Sequence, residues 1–323
     1  MKKTDEKQIK IPIVFMGTSK LSESVLKALL EKNYVISGVF TKPDKKIGRK
    51  QEISEPLVKK LANENKIPVF QPEKFDEEST AELKKLKPDL IIVAAYGKII
   101  PQAILDIPGF GCINVHASLL PKYRGPSPIQ NALMNGEKET GITIMLMDKG
   151  VDTGDILSQE AIDIEPNDNN DTLLDRLSVV GANLLIKTLP LWIERRIQPK
   201  PQENSSATIC QLIERNDGHI NWTDDAEEIF NRYRALTPWP GIFCYWKNNS
   251  DTTRIKLIFI EKQKINPQQK YAEGEVFEIA DDIGVQTGSG VIILKEIQSE
   301  GKNVMTVREF KNGHPDFIGS ILM

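Results

Sequence analysis

The chain has 323 residues, is 40% hydrophobic and 27% charged, and carries a net charge of −3. That length suits two domains and a sizeable core without staples. Its 3 cysteines and 3 histidines are widely spaced, which excludes a disulfide framework and a paired Cys/His metal pattern. The slight negative charge excludes nucleic-acid binding through overall basicity.

The charged N-terminus, residues 1–10, has no apolar region behind it and does not read as a signal peptide. No apolar run approaches the length of a membrane span, so a cytoplasmic protein is expected. Ile11 to Met16 reads as a buried first strand, followed by a helix over 20–31 with Leu21, Val25, Ala28 and Leu29 on one face. A second strand over 34–40, a helix over 55–64, a short strand at 68–70 and a charged helix over 76–86 come next. Leu90 to Ala95 is the most apolar strand, and Cys112 to Val115 is a shorter one. Strands alternating with helices predict an α/β domain with a doubly wound, mostly parallel, Rossmann-like sheet.

Gly17-Thr18-Ser19 lacks the Gly-x-Gly-x-x-Gly spacing, so Gly17 reads as a turn glycine and not as a dinucleotide site. Lys42, Lys45, Lys46, Arg49 and Lys50 form a basic loop against Asp44. Such a run is ordinarily a solvated face, and at a strand's carboxyl end it also suits phosphates. A strand over 156–164 and a long helix over 172–194 lead to a polar, proline-bearing stretch at 197–207. That stretch reads as a linker between a first domain of 1–196 and a second of 208–323. In the second, a helix over 224–235 precedes short strands at 242–246, 255–260, 274–279, 284–286 and 291–297, the pattern of a small barrel.

Asn114 and His116 stand at i, i+2, which puts both on one face of a strand at its carboxyl end, where such sheets bind ligands. An amide donor, an imidazole and a carboxylate suit proton transfer and oxyanion stabilisation at a carbonyl. A histidine and an asparagine after a strand equally suit a turn or a cap. Asp148, Asp152 and Asp155 all lie within reach, and spacing does not choose among them.

His116-Ala-Ser-Leu-Leu-Pro-Lys-Tyr-Arg-Gly125 closely resembles the signature of formyltransferases that use 10-formyltetrahydrofolate. Val39-Phe-Thr-Lys-Pro-Asp44, Met147-Asp-Lys-Gly-Val-Asp-Thr-Gly-Asp-Ile156, Asp217-Gly-His-Ile-Asn-Trp222 and Thr237-Pro-Trp-Pro240 are most similar to the members acting on methionyl-tRNA. The resemblance implies Asn114, His116 and Asp152 as the catalytic set, and Ser118, Leu119, Leu120 and Pro121 as the lining of the folate site. It also implies that Lys42, Lys45, Lys46, Arg49 and Lys50 grip initiator methionyl-tRNA. It further implies 10-formyltetrahydrofolate as co-substrate, no metal, a monomer, and an OB-like β-barrel second domain that also meets tRNA.

The chain departs from the family pattern at Ser19 and Lys20, where Pro and an acidic residue are usual, and at Ile209 and Gln211, where Tyr and Lys are usual. The same signature serves formyltransferases of glycinamide ribonucleotide and of sugar amines and the hydrolase part of formyltetrahydrofolate dehydrogenase. A tRNA-binding relative with a decayed site is a further reading, against which the intact Asn114, His116 and Asp152 speak. Trp222 and Trp239 are expected to fill the second domain's core.

Overall fold

The computed structural model of the chain describes residues 10–47, 52–248, 251–263 and 271–323. Two compact units emerge: residues 1–128 with 139–163 and 173–211, and residues 129–138 with 164–172 and 212–323.

The first unit contains β1 (Pro12–Gly17), α1 (Lys20–Glu31), β2 (Val35–Phe40), β3 (Lys45–Ile47), β4 (Glu52–Ser54), α2 (Leu57–Glu64), β5 (Val69–Phe70), α3 (Glu77–Lys85), β6 (Leu90–Ala94), α4 (Gln102–Leu105) and β7 (Cys112–His116). After α5 (Pro128–Met134) come β8 (Glu139–Leu146), β9 (Ile156–Asp163) and α6 (Asn170–Ile193). One seven-stranded sheet runs β5-β2-β1-β6-β7-β8-β9. Its first five strands are parallel, and β8 runs antiparallel to both β7 and β9. The mostly parallel sheet expected from the alternation is therefore what forms.

Apolar runs become the strands buried on both faces: all five residues of β6 are buried, as are Ile13 to Met16 of β1. α1 buries Leu21, Ser22, Val25, Leu26 and Leu29, so Leu26 takes the place expected of Ala28. The 24-residue α6 is long and apolar enough to cross a bilayer on length and composition. It buries Leu173, Leu177, Leu184, Leu185 and Leu189, the pattern of a core helix.

Gly17, read from the sequence as a turn glycine, is the last residue of β1 and serves close packing. A Cβ there would stand 2.9 Å from the Ala94 carbonyl and 2.5 Å from Ser22 Cβ. Ser22 Oγ donates to Ala94 O at 2.6 Å and accepts the Thr18 and Ser19 amides at 2.9 and 3.0 Å. The loop's donors are thus turned inward and do not form a phosphate cradle.

The second unit holds α7 (Ala226–Leu236), β10 (Ile242–Asn248), β11 (Asp251–Gln263), β12 (Val276–Ile279), β13 (Asp282–Gln286), β14 (Val291–Ser299), β15 (Met305–Thr306) and α8 (Val307–Gly313). Its antiparallel sheet runs β10-β11-β14-β13-β12, with β15 on β14. Register shifts around Phe259 let the long β11 bend, and the sheet curls. The C-terminal residues join its two edges: Leu322 bridges Trp246 of β10, and Ile321 bridges Glu275 just before β12. That gives the expected barrel-like form and leaves no long open edge between those strands.

Arg234 of α7 donates to the Asp168 carbonyl at 3.1 Å and so ties residues 164–172 into this unit. Trp222 is buried, as expected. Trp239 is not: it is 56% exposed, held outward within the loop that precedes β10.

Candidate active site

β7 carries Asn114 and His116 to its carboxyl end, with both side chains on one face and 9% and 6% exposed. Asp152 reaches them from the loop between β8 and β9. Asn114 Nδ2 donates to Asp152 Oδ1 at 3.2 Å, and His116 Nδ1 faces Asp152 Oδ2 at 3.6 Å. The same Oδ2 accepts the Gly125 amide at 2.9 Å. His116 Nε2 stands 2.9 Å from the Tyr123 carbonyl oxygen. A carbonyl only accepts, so Nε2 is the donor there and Nδ1 is the nitrogen turned to Asp152. Of the rival carboxylates, Asp148 is spent on its own loop, accepting from Gly150 N at 3.0 Å and Thr153 Oγ1 at 2.6 Å.

The loop that presents Asp152 is tightly determined. Asp152 has φ +52, a left-handed conformation that Asp tolerates better than most residues with a Cβ. Two residues on, a Cβ on Gly154 would stand 1.8 Å from the Leu146 carbonyl oxygen, so only glycine fits.

Ser118, Leu119, Leu120 and Pro121 run beside this cluster. Ser118 is fully buried, and its hydroxyl is turned to the Lys122 carbonyl at 2.6 Å. Thr143 of β8 fixes the segment by accepting from Leu120 N at 3.0 Å and donating to Ser118 O at 2.6 Å. Gln159 of β9 holds the Leu120 carbonyl at 2.8 Å. What this segment offers outward is the half-buried Leu119 and Pro121, an apolar surface suited to a flat ring system.

The five loop cations are not equivalent. Lys42 is half-buried and folds inward: a Cβ on Gly97, just beyond β6, would lie 2.3 Å from its Nζ. Burial first, and then Lys45 and Lys98, push its pKa below the usual lysine value. Lys45 and Lys46 are exposed on the short pair of strands β3 and β4, which the charge run concealed. Arg49 and Lys50 lie outside the described residues.

Residues 9–189 match the family described as Formyl transferase, and residues 212–315 match Formyl transferase, C-terminal domain. The chain belongs to the formyl transferase family. A curated relative, the methionyl-tRNA formyltransferase of Caldicellulosiruptor saccharolyticus, is 46% identical over 96% of this chain and 99% of its own.

Two solved structures share the fold. The N-formyltransferase from Helicobacter canadensis, in complex with folinic acid and dTDP-3-aminofucose, has a TM-score of 0.63 at 21% identity and covers 88% of this chain and 99% of its own. HypX from Aquifex aeolicus, in complex with tetrahydrofolic acid, has a TM-score of 0.63 at 16% identity over 94% of this formyl transferase, which spans 47% of that chain.

Sequence reasoning passed over the partners that fix this formyl transferase's cluster. Arg124 stood within the quoted signature, with no partner read for it. It is 8% exposed and donates to Gln202 Oε1 and Asn204 Oδ1. Gln202, Thr143 and Gln159 carried no signal of their own. Gly125 stood within the quoted signature, but nothing there showed that its amide holds Asp152. Among the described residues no group of three or more His, Cys, Asp or Glu could hold a metal ion. The arrangement can donate a hydrogen bond to a developing oxyanion and move a proton beside it.

Proposed function

We propose that this chain transfers the formyl group of 10-formyltetrahydrofolate to the α-amine of initiator methionyl-tRNA in the cytoplasm. The convergence of Asn114, His116 and Asp152 at the end of β7 carries the reaction class. The acceptor reading is supported by relatives named methionyl-tRNA formyltransferase at 46% and 44% identity, each over 96% of the chain.

The amine attacks the formyl carbon, and the carbonyl oxygen takes the negative charge. Asn114 Nδ2 uses one hydrogen on Asp152 and has a second for that oxygen. Such a donor in a water-poor site lowers the barrier by about 2.7–4 kcal/mol. As the carbon–N10 bond breaks, N10 gains a proton and the new amide nitrogen loses one. His116, with its ring fixed through Nε2, carries that proton on Nδ1 beside the Asp152 carboxylate. Of the segment Ser118 to Pro121, Leu119 and Pro121 supply the surface for the folate ring. Lys42, Lys45, Lys46, Arg49 and Lys50 supply charge for the tRNA phosphates.

The test is an acceptor assay with 10-formyltetrahydrofolate, comparing methionyl-tRNA with a nucleotide-linked amino sugar. Formylation of methionyl-tRNA is expected. Turnover of the sugar alone would move the acceptor, and binding of tRNA without turnover would end the enzymatic reading.

A further inference from the structure

Residues 197–207 read as a linker in the sequence, yet residues 200–210 lie across the loops that build the site. Lys200 and Ile156 exchange backbone hydrogen bonds at 2.8 and 2.9 Å. Further on, Arg124 N donates to Thr208 O at 2.9 Å, Cys210 N donates to Arg124 O at 2.8 Å, and Tyr123 N donates to Thr208 Oγ1 at 2.8 Å.

Between these anchors stands Gln202. Its Oε1 accepts from Arg124 Nε at 3.0 Å and Nη2 at 2.9 Å. Its Nε2 donates to the Asp152 carbonyl at 2.9 Å and the Gly154 carbonyl at 2.7 Å. The partners dictate which end is which, because a guanidinium only donates and a carbonyl only accepts. Arg124 Nη2 also reaches Asn204 Oδ1 at 2.9 Å. Among the described residues no carboxylate pairs with this buried cation.

We propose that Gln202 is a positioning residue for Asp152: anchored by Arg124, it clamps the carbonyls on either side of Thr153 and so sets where the Asp152 carboxylate stands. This rests on the role given to Asp152 above. The backbone at Asp152 is left-handed, so the direction of its side chain depends on holding that conformation. The contact it must keep is long, 3.6 Å to His116 Nδ1, and a small rotation opens it further. A misplacement of about 1 Å at such a site costs about 10²-fold in rate.

The residue type follows from the two ends it must serve. An amide accepts from the cation and donates to two carbonyls at once. A glutamate would keep the Arg124 pair but turn a carboxylate oxygen toward the Asp152 and Gly154 carbonyls, which also only accept. An aliphatic side chain would serve neither end.

The experiment compares Gln202→Glu and Gln202→Ala with the intact protein, reading steady-state kinetics, melting temperature and the ring ¹⁵N resonances of His116. We expect Gln202→Glu to lower kcat by about 10–100-fold, with KM for folate and acceptor within about twofold. Its fold should be retained and the His116 resonances displaced. Gln202→Glu keeps a partner for Arg124, so it remains informative even if Gln202→Ala does not fold. An unchanged kcat in Gln202→Glu, or a loss confined to KM, would overturn the proposal. So would His116 resonances identical to wild type at every pH. The resonance readout needs no acceptor. A chain that ignored methionyl-tRNA would sink the acceptor reading and leave this inference to be judged on His116 alone.

Discussion

The Nε2 of His116 donates to the Tyr123 backbone carbonyl at 2.9 Å, and this single contact divides the labour of the imidazole. With one nitrogen committed to the scaffold, Nδ1 beside Asp152 is left for chemistry. His116→Ala and Asp152→Ala should each lower kcat by about 10²–10⁴-fold, the range for positioned acid–base groups. The double variant should lose little more than the worse single one, because the pair acts as a unit. Single-turnover formyl transfer measures this, and near-normal turnover in either single variant would remove the pair from the reaction.

Asn114 is asked for a different contribution, the hydrogen bond to the oxyanion. Asn114→Ala should cost about 10²–10³-fold in kcat with little change in KM, as for the loss of one oxyanion donor. Asn114→Asp should be worse, because it sets a second carboxylate where the amide now donates to Asp152 at 3.2 Å. A loss seen mainly in KM would show that Asn114 binds substrate and does not serve the transition state.

In the second unit, Arg254 and Lys256 project from one face of β11, opposite Tyr245 and Phe243 of β10. The Arg254 guanidinium lies 3.6 Å from the Phe243 ring centroid. Burial, and then Arg254, hold the Lys256 pKa below the ordinary lysine range. Neither cation has a carboxylate partner among the described residues. If tRNA phosphates supply the missing charge, Arg254→Ala and Lys256→Ala should each weaken tRNA binding. Each should also flatten the slope of log affinity against log salt by about 0.7–0.9, with folate binding intact. Filter binding across a salt series reads this directly, and an unchanged slope takes the face out of the interface.

Much of this was legible in the sequence because apolar patterning reports burial. β1, α1 and β6 announced themselves, and Asn114 and His116 could be placed at a strand's carboxyl end by counting. β8 went unread as a strand because the buried Thr140 and Thr143 interrupt its apolar run, and Thr143 is there to hold Leu120 and Ser118. The contacts that orient the site were invisible for a different reason. Tyr123 and Gly125 act through their backbones, which no residue type reveals. Gln202 sits in a polar stretch without periodicity, whose order comes from hydrogen bonds to loops some 50 and 78 positions earlier in the chain.

Lys42 carries the last prediction, because its environment opposes its charge. Burial, Lys45 and Lys98 all push its pKa below 10.5. Below its folded-state pKa the lysine is charged both folded and unfolded, and the fold bears the full cost of holding that charge. As pH rises through the folded-state pKa toward 10.5, the folded protein releases the proton first and the cost is relieved. Lys42→Gln should therefore melt higher than wild type near neutral pH, and the gap should narrow as pH approaches the unfolded lysine value. A bound phosphate would stabilise the same ammonium, so the variant should also bind tRNA more weakly, with a shallower salt dependence. Melting curves across pH, set beside tRNA titrations, test both halves. A variant that melts lower at neutral pH would show that Lys42 serves the fold, and one that binds tRNA as wild type does would show that its charge serves something other than tRNA.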